Sequence, residues 1–191
     1  MDRRNSDRKT DEVDRRSAAT KGDRPMPVSV KALIVLEAVL VFFGFASGMQ
    51  FIRDPSGGTH DMDTSILEGT PVGDFLLVGL FFVTCYGVLP ILIIYGLWKL
   101  PRWSWTDAIN KWTGQNWAWT GAAATGVILI AWIIVEVYYI GSPEGFPRFL
   151  QVTFAVLGAV ILILALLPRT RTYAKLAAQR DSFRETVGEI A

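Results

Sequence analysis

The chain has 191 residues, a formal net charge of +1 and a mean hydropathy of +0.32, and 51% of its residues are hydrophobic. Its one cysteine, Cys85, excludes an internal disulfide and a CxxC redox pair, and its one histidine, His60, excludes a haem held by two histidines of this chain. The sequence also has no HExxH motif and no Gly-rich phosphate loop. It therefore predicts a non-enzymatic protein without a cofactor or a metal site.

Four long apolar segments determine the fold class. They cover residues 30–52, 72–100, 119–140 and 149–167, and each is near or above the ~20 residues with which a helix crosses a bilayer. We therefore predict an all-α integral membrane four-helix bundle over residues 28–168. Within the first segment, Gly44 and Gly48 form a small-xxx-small pattern, which is typical of closely packed membrane helices.

The positive charges predict the orientation of these spans. Of the 19 Lys and Arg residues, 17 lie in the N-terminal tail, beside the connection between spans 2 and 3, or in the C-terminal tail. The other two connections hold only Arg53 and Arg148. By the positive-inside rule, both termini are expected in the cytoplasm.

The two tails are polar. Residues 1–27 contain almost no large apolar side chains, so we expect this segment to be disordered. Residues 169–191 place Leu176, Phe183 and Val187 among charges, which predicts a weakly amphipathic helix on the inner leaflet. The basic cytoplasmic surface favours contact with anionic lipids. Nucleic acid is not an expected partner, because acidic residues interrupt the basic tail and no aromatic platform accompanies it.

The first extracytoplasmic loop, residues 53–74, carries five acidic residues and one arginine. Asp54 and Pro55, followed by Gly57, predict a tight turn that shapes the loop. The spacing of His60, Asp61 and Asp63 matches no calcium or zinc motif, so a solvated surface is expected there.

Span 2 has a start signal and a predicted kink. Thr70 is a candidate N-cap, Pro71 then takes the first helical position, and Asp74 lies in the first turn. Pro90 is expected to kink the helix.

Tryptophans are concentrated in the connection between spans 2 and 3. Six of the seven lie between residues 98 and 119, and indole rings favour the headgroup region. Trp105, Ile109 and Trp112 share one helical face, which predicts a short helix on the membrane surface. We interpret Trp105, Trp112 and Trp117 as interfacial anchors; a specific lipid or partner site is the alternative.

Two carboxyl groups lie within the spans, where an ionisable residue is a functional candidate. Glu37 and Glu136 are expected in opposite leaflets, ~15 Å apart along the membrane normal, so they cannot act as a pair. Glu37 is expected to reach the interface or to pair with Lys31 or Lys99. Glu136 is expected to pair with Arg53; a protonatable or cation-binding site is the alternative.

Two resemblances follow from these motifs. The stretch from Gly48 through Asp54-Pro55-Ser56-Gly57 to Thr70-Pro71 and Asp74-Phe75-Leu76, with Trp132 and Glu136 later, resembles an uncharacterised family of small four-span membrane proteins of prokaryotes. That resemblance implies an architecture and a prokaryotic cell membrane, but no activity. The segment 33–39 is similar to the first helix of small multidrug-resistance antiporters, in which one glutamate binds drug and proton. The greater length and fixed charge bias of this chain speak against that family.

These observations predict a small accessory or scaffold protein of the membrane that binds a membrane-protein partner or forms a homo-oligomer. The alternative is a small ion-coupled transporter that uses Glu136, with Glu37 as an inner gate.

Overall fold

A computed structural model describes residues 26–60, 62–101, 103, 106–142 and 144–176. This part of the chain is helical and contains no strand. Its helices are α1 (Val28–Arg53), α2 (Leu76–Lys99), α3 (Asp107–Thr113), α4 (Trp117–Ile140) and α5 (Phe146–Leu166). All but α3 are long and apolar enough to cross a membrane, which confirms the predicted all-α class with four helices of membrane-spanning length. Residues 1–25 and 177–191, and with them most of both predicted tails, lie outside the described residues.

The four long helices form a bundle in which each helix is antiparallel to its neighbours. Helix α1 packs between α2 and α5, and α4 packs between the same two helices on the opposite side. Contacts that fix the antiparallel register are Gly48–Gly79, Gly121–Ile93, Gly126–Gly158, Ser29–Thr170 and Phe43–Phe154. One end of the bundle therefore holds the start of α1 and the end of α5, and we call it the termini end. The opposite end, with the α1–α2 and α4–α5 connections, is the loop end.

Glycines allow the helix backbones to approach each other closely. A Cβ atom on Gly48 would lie 2.9 Å from the carbonyl oxygen of Gly79. Between α4 and α5, a Cβ on Gly126 would lie 2.8 Å from the carbonyl oxygen of Gly158. Because real Cβ atoms do not approach so closely, larger residues at these positions would push the helices apart. The close packing predicted from Gly44 and Gly48 is confirmed, because a Cβ on Gly44 would collide with the backbone of Tyr86.

Helix α2 departs from the expected span at its start and in its middle. It begins at Leu76, so the predicted N-cap at Thr70 is wrong; instead the Asp74 carboxylate accepts a 3.0 Å hydrogen bond from the backbone N–H of Leu76. Residues Phe82–Val88 form a π-helical segment, and the Leu89 N–H bonds to the carbonyl of Thr84. Pro90 is the second residue of the α-helical part that follows this segment. Because proline has no N–H and its ring crowds the preceding turn, the wider π geometry accommodates it within a continuous span.

The termini end is closed by a helix that continues the chain past α5. Helix α5 ends at Leu166, two residues before Pro168, and residues 168–176 form a further helix. Thr170 donates a 2.8 Å hydrogen bond to the hydroxyl of Ser29, and the Tyr173 hydroxyl donates a 3.3 Å hydrogen bond to the carbonyl of Leu97. The start of the C-terminal tail is therefore packed on α1 and α2.

Candidate functional site

Glu37 lies on the buried stripe of α1. The stripe consists of Val30, Leu33, Glu37, Leu40, Gly44, Gly48 and Phe51. The side chain of Glu37 is 0% exposed, and neither of its carboxyl oxygens has a hydrogen-bond partner among the described residues. The expectation that Glu37 reaches the interface or pairs with Lys31 or Lys99 is therefore wrong. Both lysines are exposed at the termini end, whereas the inner stripe directs Glu37 into the bundle.

The depth of Glu37 follows from the bounds of α1. The helix begins at Val28, so Glu37 lies about 14 Å from its start and about 24 Å from Arg53 at its end. By the register of the neighbouring helices, Ile93 of α2 and Ile161 of α5 are at the same level, and both are fully buried. Glu37 thus occupies an apolar layer near the middle of the bundle.

Glu136 has a different environment, near the loop end. It is partly exposed and accepts a 3.1 Å hydrogen bond from the side-chain amide of Gln151 on α5. The same amide group donates a 3.0 Å hydrogen bond to the carbonyl of Gly141, and the Gln151 carbonyl oxygen accepts a 2.7 Å hydrogen bond from Ser142. Glu136 is therefore part of a polar network that joins α4 to α5.

The expected ion pair between Glu136 and Arg53 is not formed. Glu136 is held by Gln151, and Arg53 makes no ion pair within the described residues. The order of helices in the bundle explains this, because α1 and α4 are diagonal to each other and Glu136 faces α5. The structure brings together neither Glu136 with Arg53 nor Glu136 with Glu37.

The loop residues Asp54, Pro55 and Gly57 organise the α1–α2 connection. The Asp54 carboxylate accepts hydrogen bonds from the Ser56 hydroxyl and from the Thr59 hydroxyl and N–H, and these bonds lower the pKa of Asp54 to about 2. The carbonyl of Pro55 accepts a 3.0 Å hydrogen bond from the Phe75 N–H, which joins the two ends of the loop. Gly57 has φ +83°, and a Cβ there would lie 2.6 Å from the carbonyl oxygen of Met62. A side chain at position 57 is therefore excluded on both grounds.

Aromatic side chains fasten this loop to the bundle. Phe75 stacks on Phe51 of α1 with ring centroids 5.1 Å apart, and Leu67 completes the same buried cluster. About 9 Å further along α2, the ring of Phe81 stacks on Trp132 of α4 with centroids 4.7 Å apart. The loop is thus continuous with the packed interior.

The three predicted tryptophan anchors differ in their surroundings. Trp112 is 87% exposed on α3, as an interfacial anchor would be. Trp117 is only 6% exposed; its ring stacks on Trp103 and its indole N–H donates to the carbonyl of Pro101. Trp117 is therefore a packed residue rather than a surface anchor. Trp105 lies outside the described residues.

A groove on α1 is the feature that sequence reasoning missed. It is an open depression on the surface of this single helix, and its lining residues are Val41, Phe42, Phe45, Ala46, Met49, Gln50 and Arg53. Among the described residues, neither the Gln50 amide nor the Arg53 guanidinium has a side-chain partner. The sequence signal was Gln50, the single amide of α1, which lies in the half of the helix near the loop end.

Gln151 was also missed, although it is the only amide in α5. A polar side chain within a span indicates a bond to a neighbouring helix.

Among the described residues, no group of three or more potential metal ligands is present. No protein-family model, no curated protein and no solved structure matches this chain.

Proposed function

We propose that this chain is a non-enzymatic accessory protein of a prokaryotic cell membrane, and that it binds a transmembrane helix of another protein along the α1 groove. The observation that carries the proposal is the groove itself, which ends in two polar side chains without partners in the described part of the chain. Other helices also expose apolar side chains, such as Ile134 on α4 and Ile163 on α5, and the α1 groove combines such side chains with Gln50 and Arg53.

The chemistry of the groove defines the partner. From Val41 to Arg53 the groove follows α1 for about 18 Å, more than half of the ~30 Å hydrocarbon core. Exposed Phe42 and Met49 provide contact area, and helices in lipid associate through such packing and through interhelical hydrogen bonds. Gln50 and Arg53 favour a partner helix with a carboxylate or amide near its extracytoplasmic end.

The charges of the two ends support the proposed orientation. The loop end carries Asp54, Asp63, Glu68 and Asp74, whereas Lys31, Lys99, Arg169 and Arg171 lie at the termini end. With both termini in the cytoplasm, the basic end contacts the anionic inner leaflet and the acidic loop faces outward.

Photo-crosslinking in native membranes tests the proposal. A photoreactive amino acid at Phe42 should capture a second protein that mass spectrometry identifies. The matched control is Ile134 on α4, whose exposed fraction of 64% is close to the 68% of Phe42. Capture from both positions, or from neither, would contradict a specific helix in the groove. Loss of the crosslinked adduct in a Gln50→Ala, Arg53→Ala double variant would show that these two side chains bind the partner helix.

A small ion-coupled transporter is the second candidate, and the buried carboxyl of Glu37 is the observation that favours it. Glu136, which the sequence favoured for this role, is held in a hydrogen-bond network. In proteoliposomes, a transporter of this kind loses proton-driven flux in Glu37→Gln and keeps it in Glu136→Gln. Equal flux in wild type and Glu37→Gln would remove this candidate.

A further inference from the structure

The amide oxygens of the partly exposed Asn110 and Gln115 also lack a hydrogen-bond partner, but Glu37 differs from every other fully buried polar residue in the described part of the chain. The others are Thr106, Asn116, Thr125, Gln151 and Thr170, and each of these makes at least one hydrogen bond. Glu37 is fully buried and makes none with the described residues. Buried polar groups are almost always bonded, so an exception calls for a physical explanation.

The charge state of Glu37 follows from this environment. An ionised carboxylate without water, hydrogen-bond donors or a counter-ion costs several kcal/mol. A neutral carboxylic acid loses only its hydrogen bonds, which costs far less. The packed bundle described here is therefore compatible with protonated Glu37 and not with the carboxylate.

No charged group of the described residues lies at the level of Glu37 to offset this cost. The helices packed against α1 present Ile93 and Ile161 at that level, and α5 contains no titratable residue between positions 149 and 166. Lys31 and Lys99 are each about 9 Å away along the axis and exposed. Tyr95 of α2 is the titratable group nearest in level, about 3 Å along the axis from Ile93, and it is exposed and stacked on Trp103. The other titratable groups of these elements lie farther along the axis: Lys31 and Arg53 on α1, Cys85, Tyr86 and Lys99 on α2, Arg148 at the start of α5, and Arg169, Arg171, Tyr173 and Lys175 beyond its end.

The packing of α1 indicates which half of the helix can separate. Beyond Glu37, Gly44 and Gly48 hold α1 directly against the backbone of α2. Before Glu37, α1 contains no glycine, and it is held by the fully buried side chains of Val30 and Leu33 and by the hydrogen bond from Thr170 to Ser29. The route for water is also shorter from the termini end, about 14 Å against about 24 Å.

We propose that Glu37 is a proton-binding site that couples its protonation to closure of the termini half of α1 against α2 and α5. When the carboxylic acid O–H bond breaks, the proton passes to water and the carboxylate remains. The carboxylate requires hydration, so the termini half of α1 separates while the glycine contacts hold the other half. The proposal depends neither on the α1 groove nor on transport.

Thiol accessibility tests the coupling in the full-length chain. Leu33→Cys in a Cys85→Ser background places one thiol on the buried stripe, one turn from Glu37 towards the termini end. The chain is reconstituted in phosphatidylcholine–phosphatidylglycerol nanodiscs and labelled with a charged maleimide at a series of pH values. One proton released on opening increases the open population by up to about tenfold per pH unit.

Glu37→Gln in the same background is the matched control, because it keeps the shape of the side chain and removes its ionisation. At each pH, the labelling rate of the Leu33→Cys chain is divided by the labelling rate of the Leu33→Cys, Glu37→Gln chain. This division corrects for ionisation of the reporter thiol, which both chains share. We expect the ratio of the two rates to rise by up to about tenfold per pH unit. A ratio that does not change with pH would overturn the proposal.

Infrared spectroscopy provides a second readout that does not depend on opening. The wild-type spectrum minus that of Glu37→Gln should contain the carbonyl stretch of a protonated carboxylic acid, shifted in D₂O. Glu136→Gln serves as the control for the other intramembrane carboxyl. If the difference spectrum showed carboxylate bands instead, the closed bundle would hold an ionised Glu37 and the proposal would be overturned.

Discussion

Replacing Glu37 with methionine should stabilise the bundle. The carboxyl group is 0% exposed and has no hydrogen-bond partner among the described residues, so the folded state bears the cost of removing it from polar surroundings, about 1–3 kcal/mol. Methionine has a similar length and a flexible, apolar side chain that suits the layer around Ile93 and Ile161. We therefore expect the free energy of unfolding to increase by about 1–3 kcal/mol. Glu37→Gln should change the free energy of unfolding little, because the glutamine amide would also have no hydrogen-bond partner.

The assay is reversible unfolding in mixed micelles of a mild detergent and dodecyl sulfate, and Gln151→Met is the matched control. Gln151 is also a buried polar side chain within a span, but it makes three hydrogen bonds. Side-chain hydrogen bonds in membrane bundles contribute about 0.6 kcal/mol each on average, so Gln151→Met should lose about 2 kcal/mol. The two methionine variants are thus expected to change stability in opposite directions. Destabilisation of Glu37→Met by about 1 kcal/mol or more would show that Glu37 is hydrogen-bonded or hydrated, and would refute the reasoning.

Three further predictions concern packing, the loop and the tryptophans. Gly48→Val should destabilise by at least about 1–3 kcal/mol because its side chain meets the α2 backbone, whereas Gly73→Val, with nothing within 4 Å of its Cβ, should be near neutral in the same assay. Hydrogen bonds lower the pKa of Asp54 from 3.8 to about 2, so its contribution to loop stability is present above pH ~4 and is lost as the pH falls towards 2. Limited proteolysis with a protease that is active in acid should cut the wild-type loop faster as the pH falls through this range. The Asp54→Asn variant should not show this change with pH. Trp117→Ala should destabilise by about 3–5 kcal/mol and Trp112→Ala by little, and comparable losses would contradict their different burial.

Much of the fold could be predicted because it depends on local properties of the chain. Apolar length gave four spans whose bounds agree with the helices within a few residues, and Gly44 and Gly48 indicated the close contact with α2. The start of α2 was predicted too early. Thr70 and Asp74 are both capping residues, and only the folded loop determines that Asp74 accepts the first helical N–H, since Phe75 must reach the carbonyl of Pro55.

The partner of Glu136 could not be predicted from depth alone. Arg53 and Glu136 were placed at the same level, and the structure places both of them near the loop end. Pairing depends not only on the depth of each residue but also on which helices are neighbours in the bundle. Because α1 and α4 are diagonal, a residue of α5 is closer to Glu136, and Gln151 is the amide that faces it. Pairing across a four-helix bundle therefore requires knowledge of which helices are neighbours.

The orientation of Glu37, in contrast, was available from the sequence. Leu33, Glu37, Leu40, Gly44 and Gly48 follow one another at intervals of three or four residues, so they share one helical face. The glycines on that face already indicated a close approach to another helix, and a carboxyl on the same face must then point between helices rather than towards lipid. The expectation that Glu37 reaches the interface depends on its depth alone and leaves out the helical face on which it lies. The side chain lies on the buried stripe of α1 and is 0% exposed, so its length does not bring the carboxyl group out of the bundle. A glutamate on the same helical face as closely packed glycines is consequently a stronger functional candidate than its position in an apolar segment alone would indicate.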